Sequence, residues 1–222
     1  MPIERIHIAR EARSGKLQEI LQLARERDIP VRKEERSVLD RMANGTLHQG
    51  IIAITAALSY ANFDSLFKPD KPLIIVLDGV EDPHNLGAII RTAEACKASG
   101  VLVPERHSAP LSTGVVKASA GASAYVPVVR AKNLVSAIDE LKDRGLWIVG
   151  VDAAGTKEWT EFDYTGPIAL VLGGEHRGLR RLVREHCDVL VRLPMLGNIS
   201  SLNISVAAAV VLYEAVRQRR AR

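Results

Sequence analysis

The sequence predicts an α/β protein, a mostly parallel sheet covered by helices, preceded by a small α/β domain. Three observations carry that prediction. Continuous apolar runs recur at 73–77 (LIIVL), 101–103, 126–129, 147–151 (WIVGV), 168–172 (IALVL) and 189–193. Runs without polar alternation mark strands buried on both faces. Segments of helical spacing lie between most of them, at 86–99, 133–144 and 178–186, and strands alternating with helices build a parallel sheet. The first part of the chain is different in character. Its elements are short, and the stretch 58–71, with Pro69 inside and Pro72 just after, has no sustained periodicity and reads as a linker. The expected divisions are therefore 1–57, a linker over 58–71, and 72–222.

In chain order, residues 3–8 (IERIHI) alternate as a strand does. Residues 14–28 form an amphipathic helix with Leu17, Ile20, Leu21 and Ala24 on one face and Ser14 as its cap. A strand follows at 29–32, a short helix at 37–43, a turn at Asn44-Gly45 and a strand at 50–55. A unit of roughly sixty residues is small enough to be only marginally stable alone. In the larger part, 133–144 is the clearest helix. Asn133 caps it, Leu134, Ile138 and Leu141 share a face, and Gly145 ends it.

Composition sets wide bounds. The chain has 222 residues, 47% of them apolar, enough for a substantial core. No run reaches the length of a membrane-spanning helix, and MPIERIHIAR lacks the layout of a signal peptide. Cys96 and Cys187 stand far apart, without metal-ligand or disulfide spacing. A cytoplasmic location is the expectation. The net charge is +4, with Arg217, Arg219, Arg220 and Arg222 crowding the end. Such a tail can follow a phosphate backbone or complement the negative pole of a helix, and charge alone does not decide between these.

Parallel sheets place ligands at the carboxyl ends of their strands, and three such ends carry unusual residues. After 73–77 comes Asp78 to Ala93, a polar loop opening a helix. Asn85 is a candidate cap, Gly87 and Ala88 are small, and Arg91 offers a fork for phosphate or carboxylate. After 168–172 comes Gly173-Gly174-Glu175-His176-Arg177-Gly178. Paired glycines permit a turn that a side chain would block and expose backbone amides. The dinucleotide fingerprint fails there because Glu175 stands where glycine is needed, and a P-loop fails for want of Gly-Lys-Ser/Thr. The third end runs from Leu193 through Pro194, Met195, Leu196 and Gly197 to Ser200, Ser201, Leu202 and Asn203. Either serine can cap the helix that follows, whereas Asn203 inside a first turn is harder to explain.

Taken in order, N-x-G-x-x-x-R-T, L-G-x-E-x-x-G and L-P-M-x-G-x-x-x-S-L-N-x-S-V-A resemble the three motifs of SpoU (TrmH-like) RNA 2′-O-ribose methyltransferases, over about 72–217. The amino-terminal segment resembles the small L30e-type RNA-binding domain of the branch that methylates guanosine in 23S rRNA. That domain's helical lead-in is missing before residue 3, so the expectation is either a truncated chain or an abbreviated domain. The resemblance implies a carboxyl-terminal trefoil knot, S-adenosylmethionine as cofactor, RNA as substrate and a homodimer whose sites combine groups from both subunits. It places the cofactor against Gly150, Val151, Asp152, Gly173, Gly174, Leu193, Met195, Leu196 and Leu202. It assigns the methyl transfer to Asn85, Arg91, Glu175, Ser201 and Asn203, with Arg91 holding the target phosphate and helping to activate the hydroxyl.

The implied reaction is an in-line attack of a ribose 2′-oxygen on the cofactor's methyl carbon. That hydroxyl is a poor nucleophile until its proton is drawn off or shifted. Arginine stays protonated far above neutral pH, so whether Arg91 acts itself or orients a phosphate that acts is open at this level. Other classes fit less well. A non-catalytic RNA-binding protein would not need the three loops, and an oxidoreductase lacks its glycine fingerprint. A serine hydrolase would need the first glycine of G-x-S-x-G, which Ser119 lacks. A tRNA target is the alternative within the same family.

Overall fold

The computed structural model describes residues 3–12, 15–45, 47–55, 58–174 and 178–221. Ser14, the expected cap of the first helix, lies outside them. The chain divides into two compact units, Met1–Leu58 and Ser59–Arg222.

The first unit is a three-stranded sheet, ordered β2-β1-β3. Its strand β1 (Ile3–Ala9) runs parallel to β2 (Val31–Glu34) and antiparallel to β3 (Ile51–Thr55). Helix α1 (Gly15–Glu26) lays the expected stripe of Leu17, Ile20, Leu21 and Ala24 against Ile6 and Ile8. The second strand begins two residues later than expected. Ile29 N–H closes the end of α1 on Ala24 C=O at 2.8 Å, so residue 29 belongs to the helix-ending turn. Helix α2 (Arg36–Ala43) stops at Asn44 and Gly45, both with positive φ, as a left-handed helix end requires.

The second unit is a seven-stranded sheet. Its strands are β4 (Leu73–Asp78), β5 (Gly100–Pro104), β6 (Val128–Ala131), β7 (Trp147–Val151), β8 (Lys157–Glu158), β9 (Ile168–Gly173) and β10 (Val189–Arg192). They lie in the order β6-β5-β4-β9-β7-β10-β8, and every pairing is parallel. Alternate residues of β4 enter different cores. Leu73, Ile75 and Leu77 meet helices α3 (Pro83–Ala95) and α7 (Ile204–Arg220), while Ile74 and Val76 meet α5 (Leu134–Asp143) and α6 (Arg181–Glu185). This is why β4 reads as an unbroken apolar run. Asn133 caps α5 by accepting from Val135 N–H and Ser136 N–H, and Gly145 follows with φ +84°, as expected. A six-residue helix α4 (Thr113–Ala118) and the two-residue β8 escaped the sequence reading. Both are too short to establish a period.

Of the linker expected over 58–71, residues 59–71 fall within the second unit. A single 3-10 turn, Phe63–Phe67, buries Leu66 completely beneath β5. Phe63 and Phe67 stack on the Arg144 guanidinium, 5.3 and 4.4 Å from their ring centroids, while Arg144 pairs with Asp64 at 2.7 Å. One turn of helix is too brief to register as periodicity, yet burying one leucine contributes about 1.5–3 kcal/mol.

The terminal arginines divide by role. Arg217 pairs with Glu214 at 2.8 Å. Arg219 donates to four carbonyls, those of Tyr164, Lys71, Pro72 and Gly166, and so ties the end of α7 to the starts of β4 and β9. Among the described residues no helix is long and apolar enough to cross a membrane. Arg219→Ala should lower unfolding free energy by about 1–3 kcal/mol, because it strands acceptors that are partly shielded from water. The exposed neighbour Arg220→Ala should stay within roughly 0.5 kcal/mol of wild type. Urea titrations of both variants check this contrast.

Candidate active site

The site grows from the carboxyl edge of the sheet, and its first fixed point is Asp78 at the end of β4. The Asp78 side chain is fully buried, so its charge must be matched locally. Arg180 supplies the match, with its backbone N–H donating to Oδ2 at 2.8 Å and its Nε to Oδ1 at 2.6 Å. The Asp78 C=O accepts from Gly174 N–H at 2.8 Å, and the Gly174 C=O accepts from Gly178 N–H at 2.9 Å. One residue thus holds both ends of the loop that leaves β9.

This explains the paired glycines. A Cβ on Gly174 would collide with the Gly79 carbonyl oxygen, and one on Gly173 would collide with the Gly178 carbonyl carbon. The demand for glycine comes from backbone meeting backbone, before any ligand is considered. Gly150 is similar in origin: its missing Cβ would meet Leu190 of β10 and Leu179 and Cys187 on either side of α6, so the residue is small to admit those side chains.

Helix α3 begins three residues earlier than expected. Asp82, not Asn85, is its cap, accepting from His84 N–H at 2.8 Å, with Pro83 in the first turn. Asn85 lies inside the helix and is buried. Gly87 allows α4 to approach, since a Cβ there would collide with Ala118 Cβ and stand 2.9 Å from Ser119 N. Arg91, one turn further, is exposed and makes no ion pair among the described residues.

The start of α7 also corrects the sequence reading. Neither Ser200 nor Ser201 caps it. Asn203 does, accepting from Ser205 N–H at 2.9 Å and from Ser205 Oγ at 2.6 Å. Its amide nitrogen faces the other way, and Nδ2 donates to Asn85 Oδ1 at 3.1 Å. The oddity of asparagine near a helix start therefore has a cause: one side chain closes the helix and reaches the first motif.

A cleft of about 610 Å³ opens here, lined by residues 78–82, Asn85, His107, Gly174, Gly178, Arg180 and Ile204. It brings together Asn85 and Gly174, with Asn203 bound to Asn85. Gly173 lies behind it. Val151 and Asp152, Leu193, Met195 and Leu196 do not line this cleft, but they leave β7 and β10, the next strands beyond β9 on the same edge. Asp152 is held there by Arg184 at 3.0 Å and closes its own turn on Ala154 N–H. Ser201, Leu196 and Leu202 are exposed. Glu175 lies outside the described residues. The cysteines take no part: burial pushes the Cys96 thiol up to about 11 and Cys187 up to about 12, so neither is a nucleophilic thiolate near neutral pH. Asp78 and Arg180 were not singled out by sequence. The available signal was a carboxylate at the inner end of an apolar strand.

A family model described as the SpoU rRNA Methylase family matches residues 72–213, the span that contains the whole of this cleft. The chain belongs to that family. A second model, RNA 2′-O ribose methyltransferase substrate binding, matches 1–61 of this SpoU-family chain. YacO of Bacillus subtilis (strain 168), named for the TrmH family of tRNA/rRNA methyltransferases, is 42% identical over 220 residues, 97% of this chain and 88% of YacO. The SpoU methyltransferase AviRb from Streptomyces viridochromogenes, solved in complex with AdoMet, superposes with a TM-score of 0.85 at 30% identity, covering 100% of this chain and 85% of AviRb. An AdoMet-bound rRNA methyltransferase from Sinorhizobium meliloti gives 0.82 at 27%, covering 97% and 80%. The A. aeolicus TrmH/SpoU tRNA modifying enzyme gives 0.63 at 34%, covering 72% and 81%.

Gly174→Val is expected to lower stability by about 1–3 kcal/mol even without any ligand, because the new side chain must displace the Gly79 backbone. Denaturant unfolding of the cofactor-free protein checks this. A wild-type midpoint with altered ligand binding alone would show that the collision with Gly79 is absorbed elsewhere.

Proposed function

We propose that this SpoU-family chain transfers a methyl group from S-adenosylmethionine to a ribose 2′-hydroxyl of rRNA. The observation that carries this is the Asn203–Asn85 hydrogen bond beside Gly174, which joins pieces of all three motifs at one cleft. The cofactor supplies an electrophilic methyl group when bound. Gly173 and Gly174, Gly150 to Asp152, Leu193, Met195, Leu196 and Leu202 are the residues proposed to hold it. The fit is chemical: adenine needs apolar walls and backbone donors and acceptors, and Leu196 and Leu202 are large apolar side chains left exposed beside loops of that kind.

Asn85, Arg91, Glu175, Ser201 and Asn203 are proposed to position and activate the hydroxyl. Asn85 and Asn203 fix one another and so hold a rigid polar point for the ribose. Arg91 stands six residues after Asn85, about 120° round the helix from it. An exposed guanidinium facing away from its own cleft suits a group that acts across a subunit boundary. A homodimer is proposed on that ground and on α7, whose inner face is core while Val206 and Tyr213 are exposed on it and Leu202 is exposed just before it begins. The knot implied by the resemblance is supported by β9 lying between β4 and β7, and by α7 returning from β10 to the face that carries α3.

The ribosomal target is favoured by coverage. The rRNA methyltransferase of S. meliloti matches both units, whereas the A. aeolicus tRNA enzyme covers 72% of the chain. A guanosine of 23S rRNA is the nucleotide proposed, on the strength of the motif resemblance, and a cytoplasmic setting accords with two free cysteines.

Transfer of radiolabelled methyl groups to ribosomal RNA, with mapping of the 2′-O-methyl position, tests the proposal. Label on tRNA but not rRNA would select the alternative substrate. Arg91→Ala is expected to lower the transfer rate at least 100-fold, on the order of one missing transition-state hydrogen bond, with cofactor affinity by calorimetry within a few-fold of wild type. Val206→Glu combined with Tyr213→Glu should convert a dimer to monomers in sedimentation and abolish transfer. An unchanged sedimentation coefficient would remove α7 as the interface.

A further inference from the structure

A second cleft, of about 550 Å³, lies beside the first and shares His107 and Arg180 with it. It opens at the carboxyl ends of β5 and β6 and extends over the face of the sheet covered by α5 and α6. Its charged lining is one-sided. Arg106, Lys132, Arg180 and Arg181 contribute to it, and no carboxylate does among the described residues. The first cleft is mixed but acidic on balance, with Asp78, Glu81 and Asp82 in its wall against the single arginine, Arg180, that is already bound to Asp78.

The cations differ in how far they are already neutralised. Arg181 pairs with Glu185 at 2.7 Å. Arg180 spends only Nε and its backbone N–H on Asp78, so its two terminal nitrogens are without partners among the described residues. Arg106 and Lys132 are exposed and have no ion pair or hydrogen bond among those residues. The start of α5 is not the attraction, because Asn133 already closes it. Beneath the charges the floor is apolar, with Leu134 and Val183 buried and Leu182 exposed. Cations over an apolar floor match a nucleotide chain, whose phosphates carry the charge and whose sugars and bases carry the apolar faces.

We infer that this second cleft holds backbone phosphates of the substrate RNA next to the nucleotide being methylated. The RNA strand then crosses the sheet edge from the reaction cleft at Arg180 to Arg106 and Lys132. The inference rests on the proposed methyl transfer to RNA and adds to it a specific path for the flanking strand. A carboxylate-lined reaction cleft would repel a polyanion, and an adjoining cationic cleft offsets that repulsion where the strand must be held. Phosphate recognition positions a strand without reading its sequence, so the cleft contributes register and affinity but not base choice.

The test compares the wild-type protein with Arg106→Ala/Lys132→Ala and with Lys68→Ala/Lys71→Ala. The second pair removes the same charge just before β4, at the opposite edge of the sheet. Binding of an rRNA fragment is measured across a salt series. Each phosphate that is no longer neutralised should reduce the slope of log affinity against log salt by roughly 0.7–0.9, about 1.5 for the cleft pair, with a roughly tenfold drop in affinity at physiological salt. The control pair should keep the wild-type slope. S-adenosylmethionine affinity by calorimetry should be retained in both, which also verifies that the variants are folded. An unchanged slope in the cleft variant, or equal reductions in both pairs, overturns the inference. Inorganic phosphate, titrated at fixed ionic strength, is expected to bind neither form appreciably. Phosphate binding that only the wild type shows, with equal RNA affinity in both forms, would make this a free-anion site and also overturn it. Failure of the wild type itself to methylate or bind RNA would instead overturn the functional proposal, and is read from a different sample.

Discussion

The candidate site depends on a single buried carboxylate. Asp78 terminates the interior strand β4, and its side chain has no access to water. An ion in that position is tolerated only when its lone pairs are filled, and breaking such a pair typically costs several kcal/mol. Arg180 fills them through its side chain and its backbone, while the Asp78 carbonyl takes the N–H of residue 174, and together these bonds fix where the β9 loop begins and where it ends. The glycines at 173 and 174 follow from that arrangement, because the two backbone segments approach too closely for side chains between them. Removing the carboxylate's partners would release the whole edge of the cleft.

The second constraint is the pairing of two amides. Asn85 is buried in α3 and Asn203 caps α7, and a hydrogen bond of 3.1 Å links residues 118 positions apart. An asparagine inside a helix, as Asn85 is, would be a poor choice if considered alone. Paired with Asn203, it locks the registers of two helices that pack on the same face of the sheet. Aligning two reactants contributes a large share of the rate in a displacement reaction. Under the proposed function, a rigid polar pair beside the cleft would supply alignment without a strong acid or base, and the two cysteines, whose thiols burial pushes up, offer neither.

The sequence was legible wherever a period could be counted. The six long strands, the α5 helix with both its ends, and the stripe of α1 all rest on repeated apolar positions, and the structure has them. Short elements were not legible: α4, β8 and the turn that buries Leu66 each span too few residues to show periodicity. Caps were misassigned by a few residues, Asp82 for Asn85 and Asn203 for the serines, because several adjacent residues have equal capping ability and only tertiary contacts choose among them. The glycines were legible as sites of close approach, but what approaches them is backbone, which spacing does not reveal. Asp78 and Arg180 were invisible for a related reason, being 102 positions apart and joined only by folding.

The arrangement of charge follows from the same edge. Parallel strands bring all their carboxyl ends to one side, so acidic and basic loops that are far apart in sequence come to lie next to each other. Asp78, Glu81 and Asp82 follow β4, whereas Arg106 and Lys132 follow β5 and β6, the two strands on one side of it. A net charge of +4 spread over 222 residues conceals this division. Polyanion attraction depends on the local field, which falls off over about 8–10 Å at physiological salt, and clefts concentrate it further. Summed charge is thus a poor guide to where a nucleic acid would lie on this protein. The terminal arginines make the point from the other direction: they are the densest basic run in the sequence, yet Arg219 is committed to backbone carbonyls and Arg217 to Glu214. The cations beside the candidate cleft that have no internal partners among the described residues are separated in sequence, and it is the strand order that brings them together.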